Sequence, residues 1–229
     1  MDDLRSKAIA ILEDSDRRFY VDMTEALRTK RADAVLADED GVLIHVPDCI
    51  WYMMAKTEER TIDFSHYVAG HKTGSEQLVC HDDVALSQCA QIVGQRVLPI
   101  PVMLFGYFSD RLFDVPDSFS LVPSGERDMF DGYVDGVKVG VIGIREEGTI
   151  GHLEVFSEHR RKGYGTLFIR AISNYQLENS RIPSCHILEN NVPSIAIHRT
   201  LGYWTDEVRR ISGWADGQTT SFSKTMLYS

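Results

Sequence analysis

The sequence predicts an α/β (α+β) fold, with short strands joined by tight hairpins and interleaved with amphipathic helices. Three observations carry that expectation. Asp135-Gly136 stands between two strand-like apolar runs, 130–134 and 137–144, and such a dipeptide is a strong hairpin signal. Tyr164, Leu167, Phe168, Ala171, Ile172 and Tyr175 then recur at i, i+3 and i+4, the spacing of one helix face. Between strand and helix lies a turn with two glycines, Gly163 and Gly165.

The elements follow in order. Residues 3–13 place Leu4, Ala8, Ile11 and Leu12 at helical spacing, and 18–29 make a second helix. The runs 34–37 and 42–46 flank Asp38-Glu39-Asp40-Gly41 as a hairpin. The run Trp51-Tyr52-Met53-Met54 reads as core, or as lining for an acceptor pocket, and 84–94 reads as helix. Turn formers crowd 115–126, which divides the chain into an N-terminal α/β region, 1–122, and a second domain, 123–229. In that second part, Glu146-Glu147-Gly148 turns into a strand over 149–156. After the glycine turn and helix come Pro183 and a short strand over 185–188. Asn191 caps the next helix, with Pro193 in its first turn and Gly202 at its stop. Strands near 208–214 and 219–228 flank Asp216-Gly217. The order is β-β-β-α-β-α-β-β.

Composition narrows the function. The chain has 229 residues, 43% hydrophobic and 25% charged, which are globular proportions. Its longest apolar stretch, 97–105, is broken by Pro99 and Pro101 and falls short of the roughly 20 residues that span a bilayer. Met1-Asp2-Asp3 is acidic and opens a helix pattern, so no signal peptide is expected. Four cysteines make no disulfide framework, and the cytoplasm is the expected compartment. A net charge of −10 argues against nucleic acid as a partner, because phosphate binding needs a basic surface. Residues 1–127 hold 13 Lys/Arg and 22 Asp/Glu; residues 128–229 hold 11 and 12. The acidity therefore lies in the first half, and Arg160-Arg161-Lys162 stands out in the second. Cys80, His81 and Cys89, with His66 and His71, lack the paired spacing of a zinc site, so no metal is expected.

The chemistry centres on Arg160-x-x-Gly163-x-Gly165. Glycines between a strand and a helix let backbone N–H groups crowd around an anion, and the helix N-terminus adds positive charge. In physical terms this is a pyrophosphate cradle, or a strand-to-helix turn with a solvated basic patch. It is neither a G-x-G-x-x-G fingerprint nor a P-loop.

With its context, 153–165 resembles the CoA-binding signature of the GNAT superfamily of N-acetyltransferases: an apolar strand, then [RQ]-x-x-G-x-[GA], then a helix. Asn191, Ser194 and Leu201-Gly202-Tyr203 resemble the second signature, N-x-x-[AS]…LGF. The resemblance covers roughly 128–229; the first half matches no motif, and two-part chains of the glycine N-acyltransferase kind are an analogy of fold alone. It implies a mixed, mostly antiparallel sheet flanked by helices, and acetyl-CoA or another short acyl-CoA as co-substrate. It implies that backbone groups of Leu153 and Val155 pair with the pantetheine arm. Arg160, Arg161, Lys162, Gly163, Tyr164, Gly165 and Thr166 would hold the pyrophosphate. Asn191, with Ser194, would bind pantetheine or cap the helix. The acceptor would be a small-molecule or amino-acid amine; the sequence leaves the oligomeric state open.

Amine attack on a thioester needs a general base and a proton for the departing thiolate. Simple alternation puts Ile150, His152, Glu154 and Phe156 on one strand face, so His152 or Glu154 is the candidate base. The resemblance places a tyrosine acid where this chain has His198, which either protonates the thiolate or leaves that to water. The alternative to an enzyme is a non-catalytic acyl-CoA sensor.

Overall fold

Helices α1 (Asp2–Asp16) and α2 (Val21–Arg28) open the chain where the apolar spacing places them, and the hairpin β1 (Asp33–Asp38) and β2 (Gly41–Val46) follows. The computed structural model describes residues 2–73, 76–80, 83–94, 97–205 and 211–214. Next come β3 (Ile50–Ala55), α3 (Glu58–His71), β4 (Gln77–Cys80) and α4 (Asp83–Val93). The proline-broken apolar stretch is a strand, β5 (Val97–Gly106). The turn-rich seam contains another, β6 (Phe119–Pro123), so the boundary at 122/123 falls inside an element. The second half then runs β7 (Met129–Val134), β8 (Val137–Ile144), β9 (Ile150–Val155), α5 (Tyr164–Glu178), β10 (Ser184–Leu188), α6 (Val192–Thr200), β11 (Trp204–Thr205) and β12 (Ile211–Trp214). The expected order holds through α6 and the strand near 208–214; β11 is an addition to it, and the strand expected over 219–228 lies outside the described residues. Asp135 (φ 48°) and Gly136 (φ 78°) both adopt the left-handed backbone that a two-residue hairpin demands.

Two sheets result. An eight-stranded sheet runs β1-β2-β3-β4-β12-β5-β10, with β11 also paired to β5; a four-stranded one runs β6-β7-β8-β9. Among the described residues, all pairings are antiparallel except β3 with β4. The larger sheet interleaves the halves, because β5 lies between β12 and β10.

Three apolar clusters fill the layers. Leu12, Met23, Leu27, Ile44, Tyr52 and Leu104 pack between α1, α2 and one face of the large sheet. Leu43, Trp51, Met53, Phe64, Leu78 and Leu86 pack on the other face under α3 and α4. Phe105, Ile142, Phe168, Ile172, Ile187 and Leu201 join α5 and α6 to both sheets. Strands β2 and β3 are thus covered on both sides, which is why 51–54 reads as an unbroken apolar run.

Candidate functional site

Strand β9 carries a bulge. Its ladder with β8 pairs Gly151 with Gly143 and Glu154 with Val141, so His152 and Leu153 together oppose Ile142. His152 has left-handed backbone (φ 56°), which is uncommon outside glycine. One extra residue shifts the phase of side-chain alternation. Ile150 before the bulge and Leu153 and Val155 after it pack in the same cluster. The expectation that Ile150, His152, Glu154 and Phe156 share one face is corrected by this bulge. His152 is half-buried; burial, and then the Arg145 guanidinium, push its pKa below the usual imidazole range. Glu154 is exposed.

Beyond β9 a short 3-10 turn, Ser157–His159, leads to Arg160, whose Nε donates to the Val155 carbonyl at 2.9 Å. Arg160 therefore ties down the strand end. Arg161 (φ 60°) and Gly163 (φ 81°) are both left-handed, and α5 starts at Tyr164. This alternation of handedness points successive amides to one side, the geometry of an anion nest. The Gly163 carbonyl accepts from Thr166 N at 3.1 Å and Leu167 N at 3.4 Å, the first bonds of the helix. Among the described residues, the five amides from Arg161 to Gly165 have no acceptor. Arg160, Arg161 and Lys162 are exposed beside them. A Cβ on Gly165 would touch only Ile197 Cδ1, at 3.5 Å, so this glycine sits where α5 meets α6.

Asn191 is the N-cap of α6, its Oδ1 accepting from Ser194 N at 3.3 Å. The helix ends with Gly202 at φ 80°, where Tyr203 N donates to His198 O at 3.0 Å and Gly202 N to Arg199 O at 3.1 Å. These bonds make a Schellman stop. His198 is 2% exposed, 5.5 Å from the Phe105 ring and 4.9 Å from the Tyr203 ring. Its Nδ1–H donates to Ser194 O at 2.8 Å, while Nε2 is buried with no partner among the described residues. Burial pushes its pKa down to about 4, so at neutral pH the ring is uncharged. Tyr203 OH and Ser173 Oγ, 2.6 Å apart and buried, tie this corner to α5.

The two sheets meet at β9 and β10. Each is the terminal strand of its sheet, and they lie side by side without a ladder among the described residues. The backbone edge of β9 that carries Leu153 and Val155 thus faces a seam, into which an extended chain can add as a strand.

Two further groupings escape sequence reading because their members are far apart in the chain. Cys49 Sγ and the carboxylates of Glu146 and Glu147 lie within 4.8 Å of one another. Burial and the two glutamates push the Cys49 thiol up to about 12. His186 of β10 reaches Asp22 of α2 across the large sheet. Of the residues weighed for zinc, Cys80 of β4 and Cys89 of α4 are both buried in the cluster under α3 and α4, and His81 lies outside the described residues. Cys185 is buried among the residues packed by α5. Among the described residues, no helix is long and apolar enough to cross a membrane.

Residues 139–211, which span the bulged strand, the cradle, α5, β10 and α6, match the family of FR47-like proteins. The sequence matches no curated protein. Similar folds recur among solved structures. A Drosophila protein shares 11% identity over 94% of this chain and 96% of its own, with a TM-score of 0.70. A GCN5-related N-acetyltransferase from Kribbella flavida shares 12% over 88% and 95%, with a TM-score of 0.56. An acetyltransferase of the GNAT family from Novosphingobium aromaticivorans shares 14% over 88% and 96%, with a TM-score of 0.53.

Proposed function

We propose that the chain, whose residues 139–211 match the FR47-like family and whose fold is that of GNAT acetyltransferases, moves an acetyl or short acyl group from acyl-CoA to a primary amine. The acceptor in this reading is a small molecule or an amino acid. The observation that carries it is the row of five amides from Arg161 to Gly165 without acceptors, at the N-terminus of α5. Such a row suits a pyrophosphate, because each oxygen replaces lost water with a fixed donor and no side chain must move. Arg161 and Lys162 add charge at its rim, and Tyr164 and Thr166 complete the turn. The β9 edge at Leu153 and Val155 takes the pantetheine arm in the seam beside β10. When bound, the thioester supplies an activated acyl carbon, and the protein aligns an amine against it. Asn191 and Ser194 hold the start of α6 in place. The four cysteines form no disulfide, which fits a reducing compartment such as the cytoplasm.

A second reading, a non-catalytic acyl-CoA sensor, is favoured by one observation. His198 is buried and uncharged at the position where the resemblance places an acid. Free-thiol release from acetyl-CoA against a panel of amines separates the two, since a sensor binds without release.

The cradle itself is tested by Gly163→Val. A β-branched residue at φ 81° is strained by about 1–2 kcal/mol, and its side chain blocks the approach of the anion to the backbone. We expect acetyl-CoA to raise the thermal midpoint of the wild-type chain and to leave that of the variant unchanged. Equal shifts in both would place the cofactor elsewhere.

A further inference from the structure

His186 stands on β10, the strand that borders the seam opposite the bulged β9. Its neighbours Cys185 and Ile187 pack toward α5, so His186 projects from the other face of the sheet, toward α2. There its Nε2 lies 3.2 Å from Oδ2 of Asp22, which is fully buried, and Asp22 Oδ1 accepts from Met23 N at 2.9 Å. The carboxylate is thereby fixed before any substrate arrives. The His186 side chain keeps 17% exposure, and its Nδ1 has no partner among the described residues. A neutral imidazole that donates from Nε2 to a carboxylate carries its lone pair on Nδ1. The pair is thus a base with one nitrogen anchored and the other available.

The geometry points to His186, oriented by Asp22, as the group that takes the proton of the acceptor amine. This rests on the acyl-transfer reading and adds to it a role for the first half of the chain, which supplies Asp22. His186 Nδ1 removes one proton from the ammonium, and Asp22 stabilises the imidazolium that forms. The amine nitrogen then bonds to the carbonyl carbon, and the C–S bond breaks with its electron pair going to sulfur. The thiolate takes the second nitrogen proton, directly or through water; the third stays on the amide, and His186 returns its own to solvent. Other titratable or charged groups on the elements packed against β10 are Glu25 and Arg28 of α2 and His152 and Glu154 of β9. Glu25 is already engaged by Arg28 Nη1 and Ile182 N, each at 3.0 Å. The facing stretch of β5, 102–106, has none.

The experiment uses the full chain, acetyl-CoA and an amine that the wild type acylates, with kcat/KM followed from about pH 5.5 to 9. His186→Gln is expected to lower kcat about 10²–10⁴-fold and to remove the ascending limb of the profile, with acetyl-CoA affinity unchanged. His186→Ala should regain rate when imidazole is added, which no structural role predicts. Asp22→Asn should lower kcat with acetyl-CoA affinity unchanged, because the amide cannot stabilise the charge the ring gains on taking the proton. If Asp22→Asn fails to fold, the His186 variants alone decide. A folded His186→Gln with wild-type kcat and limb overturns the assignment, as does a limb abolished by His152→Ala or Glu154→Gln instead. A wild-type chain that acylates no amine overturns the assignment together with the reading beneath it, whereas turnover that survives His186→Gln overturns the assignment alone.

Discussion

Replacing Gly140 with alanine is expected to cost about 3 kcal/mol or more and to abolish acetyl-CoA binding. Gly140 pairs with Val155, one residue pair beyond the bulge. A Cβ there would meet the Glu154 carbonyl oxygen, and would lie 3.1 Å from the Phe168 ring. The first obstacle is backbone, so no side-chain rotation relieves it, and β9 must move away from β8. Overpacking of this kind costs about 1–3 kcal/mol even where side chains can adjust. The displaced segment carries Leu153 and Val155, so the seam beside β10 changes shape with it. Gly70→Ala is the matched control: nothing lies within 4 Å of its Cβ, it stands in α3 away from the seam, and alanine favours the helix. Urea unfolding and the acetyl-CoA-dependent thermal shift check both variants. A Gly140→Ala protein as stable as wild type would show that β9 is not held as described.

The second large effect concerns acid. The His198 imidazole titrates near 6.5 in an unfolded chain and is pushed down to about 4 by burial in the folded one. Between those values the unfolded chain binds the extra proton, so stability falls as pH falls. The contribution is fully present above about pH 6.5 and shrinks toward pH 4, by roughly 3 kcal/mol over the interval. His198→Phe removes the titrating group and the unpartnered Nε2, and places an apolar ring beside Phe105 and Tyr203. At neutral pH its stability should stay within about 1 kcal/mol of wild type, and its loss of stability on acidification should be shallower. Unfolding free energies measured across this range decide; equal acid slopes in the two proteins would place the sensitivity elsewhere. The same protonation balance bears on catalysis. In the proposed acyl transfer, an uncharged His198 would add no descending limb to the pH–rate profile near neutrality, which would leave the thiolate to the amine proton or to water.

Much of the second half was legible because its signals are local. Asp135-Gly136 announces a hairpin, Asn191 and Gly202 mark both ends of α6, and the apolar spacing of α5 needs no tertiary information. The cradle is equally local, with all its amides inside one turn. The first half resists for a physical reason. Strands buried on both faces lose alternation, so β3 reads as a bare apolar run, and the prolines of β5 hide a strand whose partners come from residues 184–214. Helix α3 did carry a signal, Thr57 before Glu58-Glu59, with Thr57 Oγ1 accepting from Arg60 N at 3.1 Å. The site was only partly readable. No periodicity reveals a left-handed histidine, so the bulge at His152 was invisible, and with it the phase of everything after it. The pair His186–Asp22 joins positions 164 residues apart, and only the fold brings them together.

The placement of β12 between β4 and β5 has a consequence for how the molecule is made. During synthesis the ribosome releases β1 to β4 and then β5, but the strand that joins them is translated about 100 residues later. Until then two sheet edges wait unpaired, in a chain that already contains its most apolar segments. Unpaired edges of that kind template association with other chains. Nascent chains stalled before residue 211 should therefore depend on holding factors, whereas the hairpins from β6 to β9 close as soon as they emerge.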